Sequence, residues 1–126
     1  MSLGQSFNQF FRKYQETKDN HVNPELRTKY YKISFDKGYD YLLHMVENSP
    51  EFELKAASRE YGEISFHLKK GRKTFVIATV MMHKPFETSI DFAASSEGVS
   101  PIDFGQTHKA IRMLYERLNK DLPLIK

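Results

Sequence analysis

The sequence predicts an α+β domain. An antiparallel meander sheet of about five strands carries two helices packed on one face, in the order strand, helix, four strands, helix, with an N-terminal amphipathic helix in front. Three observations predict this. Apolar residues recur at helical spacing near the start, after residue 36 and near the end; between residues 52 and 95 the period shortens to two; and turn formers punctuate that middle stretch. An amphipathic helix and a one-faced sheet each need a partner surface, so the simplest packing lays one on the other.

The first helix is expected over residues 6–17, where Phe7, Phe10, Phe11 and Tyr14 fall at i, i+3, i+4 and i+7. This aromatic stripe packs on the main core or docks on a second subunit, because so many exposed rings promote association. Residues 18–24, rich in turn formers, read as a linker, and Pro24 starts a short helical turn. The chain therefore divides into an N-terminal helix and linker, 1–24, and a single α+β domain, 25–126. A strand over residues 30–35 feeds a helix capped by Asp36 that buries Tyr39, Leu42, Leu43 and Val46 and stops before Pro50.

In the first meander strand Phe52, Leu54, Ala56 and Ser58 share a face opposite Glu53, Lys55, Ala57 and Arg59. Tyr61-Gly62 makes the next turn, Ile64, Phe66 and Leu68 point inward, and Lys70-Gly71 sits at a hairpin. The third strand, 73–82, is apolar on both parities, with Phe75, Ile77 and Met81 against Val76, Ala78, Val80 and Met82, so it belongs at the sheet centre and is covered on both sides. Thr88, Ile90, Phe92 and Ala94 form the inward set of the fourth. A closing helix from about residue 106 to 120 buries Ile111, Leu114, Tyr115 and Leu118 and keeps Lys109, Arg112, Glu116 and Lys120 wet.

At 126 residues the chain is one domain's worth of polypeptide. Ten Phe and seven Tyr within a 40% hydrophobic composition suffice for a core. No apolar run is long enough to span a bilayer and no basic stretch precedes an apolar one at the start, so the expectation is a soluble, cytoplasmic protein with no membrane partner. Zero cysteines exclude disulfides, iron–sulfur clusters, thiolate zinc sites and cysteine nucleophiles. The net charge of +3 is a small imbalance rather than the dense basic stripe of a dedicated nucleic-acid binder, and it does not decide the partners.

Chemistry-bearing motifs are sparse. The five histidines, His21, His44, His67, His83 and His108, have neither the His-x-His nor the i, i+4 spacing of a zinc site, so no metal is expected. There is no Gly-x-Ser-x-Gly elbow and no phosphate-cradling glycine loop, and Asp103-Phe104-Gly105 lacks the rest of a kinase's magnesium machinery. Asp91 and Asp103 are the carboxylates to watch for acid–base work, with capping and solvation as the plainer reading. Lys69, Lys70, Arg72 and Lys73 crowd a hairpin tip that could meet phosphates, with Tyr61, Phe86 or Tyr31 stacking bases, although such a tip is ordinarily a solvated edge guard. Phe66, Phe75, Ile77, Met81, Phe92 and Tyr115 are the candidate lining of an apolar ligand cavity between the sheet and a helix.

The segment Ile90-Asp91-Phe92-Ala93-Ala94-Ser95-Ser96-Glu97-Gly98, followed by Asp103-Phe104-Gly105 and Thr107-His108-Lys109, resembles the end of an uncharacterised bacterial domain family. Members of that family end in a serine-rich strand, a Gly, an Asp-x-Gly and an Asn-Arg helix start. Here Glu97 stands where the family places arginine, and Thr107-His108 replaces Asn-Arg. The resemblance covers the C-terminal quarter and implies no activity, cofactor or site residue.

The expectation is therefore a non-enzymatic interaction module that self-associates, through the N-terminal aromatic helix or a sheet face, with no catalytic residues and no cofactor. Two alternatives are an apolar-ligand-binding domain and a nucleic-acid binder acting through the basic hairpin.

Overall fold

The computed structural model describes residues 14–69, 74–96 and 104–126. Within them the chain forms β1 (Tyr14–Glu16), a 3₁₀ turn (Pro24–Leu26), β2 (Lys29–Tyr31), α1 (Phe35–Asn48), β3 (Phe52–Ser58), β4 (Glu63–Leu68), β5 (Thr74–Lys84), β6 (Glu87–Ser96) and α2 (Phe104–Asp121). The strands make one six-stranded antiparallel sheet in the order β1-β6-β5-β4-β3, with β2 also paired to β6.

Residues 14–17 were expected to be helical. Instead Tyr14, Gln15 and Glu16 pair with Ser95, Ala94 and Ala93. The reason lies outside the local pattern: β6 has a free edge whose N–H and C=O groups need partners, and β1 and β2 occupy successive stretches of it. The remainder of the expected first helix, with Phe7, Phe10 and Phe11, lies outside the described residues. The expected strand over 30–35 is also shorter. It ends at Tyr31, and Ser34 rather than Asp36 caps α1, its Oγ accepting the Lys37 N–H at 3.1 Å. The C-terminal tail covers the other edge of β2: Ile125 N–H donates to Tyr30 O, and Tyr30 N–H to Lys126 O, both at 2.7 Å.

Alternation along β4, β5 and β6 sends Ile64, Phe66, Val76, Ala78, Val80, Ile90, Phe92 and Ala94 to one face, all buried. Both helices pack there. From α1 come Tyr39, Leu42, Met45 and Val46; from α2, Ile111, Leu114, Tyr115 and Leu118. Phe92 on Tyr115 at 5.0 Å joins the sheet to α2, and Phe52 on Phe66 at 5.2 Å joins β3 to β4. At about 1.5–3 kcal/mol for each large apolar side chain buried, this single layer is the main source of stability. α1 approaches closely at Gly38, where a Cβ would lie 3.1 Å from Ile33 Cδ1.

Two expectations about the sheet need correction. A β-bulge between Leu54 and Ala56 reverses the alternation of β3, so Ala57 rather than Ala56 is level with Ile64. The third meander strand is central, as its composition predicts, between β4 and β6. Among the described residues, however, no helix covers its second face, which carries Phe75, Ile77, Thr79 and Met81.

Candidate interaction surface

The most exposed apolar side chains of the sheet gather at one end of it. Tyr61 is 73% exposed, Phe86 64%, Met81 54% and Met82 52%. They converge because the strands differ in length. β4 begins at Glu63, opposite Thr79, whereas β5 continues to Lys84. The turn between β3 and β4 is therefore level with Val80 and Met81, and the last contact across that lane is the Val80 N–H bonded to Gly62 O at 2.8 Å. Beyond it the β5–β6 hairpin projects with its β4-side edge unpaired among the described residues.

The turn between β3 and β4 is held in position. Gly62 adopts φ +68°, and a Cβ on it would lie 2.3 Å from Val80 O, so only glycine lets the turn close against β5. Arg59, in the same turn, reaches to α1: its guanidinium bonds Asp36 at 2.9 Å and also Asp40, and sits 4.7 Å over the Tyr39 ring. The other turn carries Pro85 and Phe86, and Phe86 combines φ +61°, a conformation uncommon for a non-glycine residue, with 64% exposure. A large apolar ring held at a strained exposed position is costly unless something uses it.

His83, in the same hairpin, pairs its Nε2 with Ser89 Oγ at 2.7 Å and packs on Tyr30 at 5.2 Å. A histidine beside a serine hydroxyl is the arrangement of a nucleophile and its base, but Ser89 is only 2% exposed and cannot meet a substrate carbonyl. The pair joins β5 to β6. Tyr30 in turn donates to Asp19 Oδ1 at 2.7 Å, and that bond, with burial, pushes its hydroxyl up to about 12.

The remaining candidate residues are scattered. The six proposed to line a ligand cavity are divided by the sheet: Phe66, Phe92 and Tyr115 are packed into the core, whereas Phe75, Ile77 and Met81 lie on the opposite face. The sequence pattern could not resolve this, because β5 is apolar on both parities. Lys69 is exposed at the far end of β4, and Lys70, Arg72 and Lys73 lie outside the described residues. Of the rings offered for base stacking, Tyr31 is fully buried, and Tyr61 and Phe86 stand at the opposite end of the sheet from Lys69. His44 bonds Asn48, and His108 Nε2 lies 2.8 Å from Glu25 Oε1. No three potential metal ligands cluster among the described residues. Asp91 has a structural task as the acceptor for two threonines, and Asp103 lies outside the described residues.

One concavity went unseen in the sequence. A cleft of about 590 Å³ runs beside α2, with Leu68, Ala110 and Met113 as its apolar wall and Glu51, Lys109 and Arg117 at its rim. Arg117 is tied down there by Glu51 Oε1 at 2.6 Å and Ser49 Oγ at 2.9 Å. These residues come from three separate elements, so no spacing in the sequence links them.

Among the described residues no helix is long and apolar enough to cross a membrane. No protein-family model and no curated protein matches the chain.

Proposed function

We propose that this protein is an interaction module that self-associates through the apolar end of its sheet. One observation carries the reading: Tyr61, Met81, Met82 and Phe86 are each more than half exposed and stand at the one end of the sheet where β5 outruns β4, Met81 and Met82 on opposite faces of the strand. Single exposed apolar residues are ordinary, but four at one end of a sheet, one of them on a turn held by Gly62 and Arg59, suit a binding surface. Ion pairs ring it. Arg59 with Asp36 and Asp40 borders one side, in keeping with the polar rim of protein interfaces. Sedimentation velocity from low to high micromolar concentration tests the reading. A dimer whose population falls when Tyr61 and Phe86 are both changed to serine is the expected result; a monomer throughout the range overturns it.

A second reading follows from the cleft beside α2. Its apolar wall and charged rim suit a small amphipathic molecule with an apolar body and a polar head. Native mass spectrometry of gently purified protein would then show an adduct that is lost on changing Met113 to lysine, and an adduct-free spectrum would remove this reading.

A further inference from the structure

We infer that two copies join edge to edge through the β5 tips, with the span Met82–Lys84 of one running antiparallel to the same span of the other. This rests on the self-association reading above and specifies its geometry. The inference begins with the backbone. Alternate residues of a strand aim their N–H and C=O to the same side. Val80 sends its N–H toward Gly62, so Met82 aims its own pair in the same direction, past the end of β4, where no described residue receives it. An open edge flanked by apolar side chains is a template for another strand.

The edge of the sheet formed by β3 is defended. On β3, Glu53 and Lys55 are exposed and paired with each other at 3.7 Å, and charged side chains on an edge discourage docking. The span at the β5 tip opens on methionine, and its one lysine, Lys84, has a use in the pairing. Charge also fits a two-fold arrangement. With the axis at His83, Lys84 of one copy lies alongside Met82 of the other, next to the turn that bears Glu60 and Glu63. No described acid pairs with Lys84, and no described base with Glu60 or Glu63. The same contact recurs on the far side of the axis, as an isologous interface requires. Phe86 of each copy is carried toward Tyr61 of the other. The bulge between Met82 and Lys84 keeps the paired span short, so the side chains rather than the ladder supply most of the affinity.

The chain has no cysteine, so a single engineered one reports its own symmetry mate without background. Opposed residues of an antiparallel pair have Cα atoms about 4.5–5.5 Å apart, within the span that a disulfide bridges. The expected result with the full chain is that His83→Cys forms a disulfide dimer under mild oxidation while Glu53→Cys, on the other edge, stays monomeric on a denaturing gel. Met82→Lys should weaken the dimer roughly tenfold or more, the loss expected when one large apolar contact is removed on each side. Amide exchange near residue 82 should slow as concentration rises, a readout that needs no substitution. If sedimentation shows a dimer but His83→Cys does not cross-link and exchange near residue 82 is independent of concentration, the edge pairing is wrong and the self-association reading survives. Cross-linking through Glu53→Cys instead would place the interface on β3. A monomer in sedimentation removes both.

Discussion

Thr17 and Thr28 donate their hydroxyls to the same carboxylate oxygen of Asp91, each at 2.6 Å. Between the two threonines the chain leaves the sheet, makes the 3₁₀ turn and returns, and the excursion closes on itself where Thr28 N–H meets Lys18 O at 3.2 Å. Thr17 also accepts the Phe92 N–H at 3.0 Å, so one side chain joins β1 to β6 twice over. Asp91 thus fixes both ends of a loop that composition alone reads as a linker.

Removing that acceptor should be costly. Both threonines are buried, and hydrogen bonds to a charged group contribute about 1.5–3 kcal/mol each. Asp91→Ala is expected to lower stability by about 2–4 kcal/mol in urea unfolding, and Asp91→Asn by less, because the amide oxygen still accepts. A loss under about 0.5 kcal/mol for the alanine variant would show that water replaces the carboxylate.

Glycine positions give an internal contrast. Gly62→Ala places a methyl group 2.3 Å from a backbone oxygen at a positive φ, so a loss of about 2–4 kcal/mol is expected. At Gly105, in the first turn of α2, a Cβ meets nothing within 4 Å. Gly105→Ala should stabilise by about 0.5 kcal/mol through the unfolded chain's lost freedom. Thermal melts of the two variants would read opposite signs.

Alkali should unfold the protein through its tyrosines. Burial, with the bond to Asp121, pushes Tyr41 up to about 12, and burial raises the buried Tyr31 and Tyr115 as well. A phenol whose value is higher folded than unfolded holds its proton longer in the native state. Its contribution is therefore whole below about pH 10, the free-phenol value, and is lost as pH rises toward and past 12. Urea midpoints at pH 8, 10 and 11 should fall across the upper interval. Tyr115→Phe should flatten the fall while costing about 1 kcal/mol at pH 7, because it removes the 2.7 Å bond to Ile90 O.

Acid acts on His21. Burial, then the neighbouring Lys18 and Arg27, lowers its value below 6.5, and its Nδ1 accepts the Asn23 N–H at 3.0 Å, which only the neutral ring can do. The stability it confers is present above pH 6.5 and declines as pH falls through its lowered native value. Amide exchange in residues 18–27 should therefore quicken, after correction for intrinsic rates, between pH 7 and 5. His21→Asn should remove the change; an unaltered pH response in that variant would assign it elsewhere.

The sequence by itself determined the class of this fold, the positions of both main helices and the inward residues of β4 and β6, because periodicity records which side of an element meets the core and is a local property. It also ruled out thiol chemistry outright and predicted that β5 is central, since a strand apolar on both parities belongs in mid-sheet. Only the tertiary structure decided that residues 14–16 are a strand, because their partner is an edge at residues 93–95, far along the chain. The same holds for the flip at the β3 bulge and for the division of the six cavity residues between two faces. The candidate surface was likewise illegible: Tyr61, Met81, Met82 and Phe86 were each visible, but their exposure follows from β5 being longer than β4. Relative strand length is a relation between segments, and no residue carries it alone.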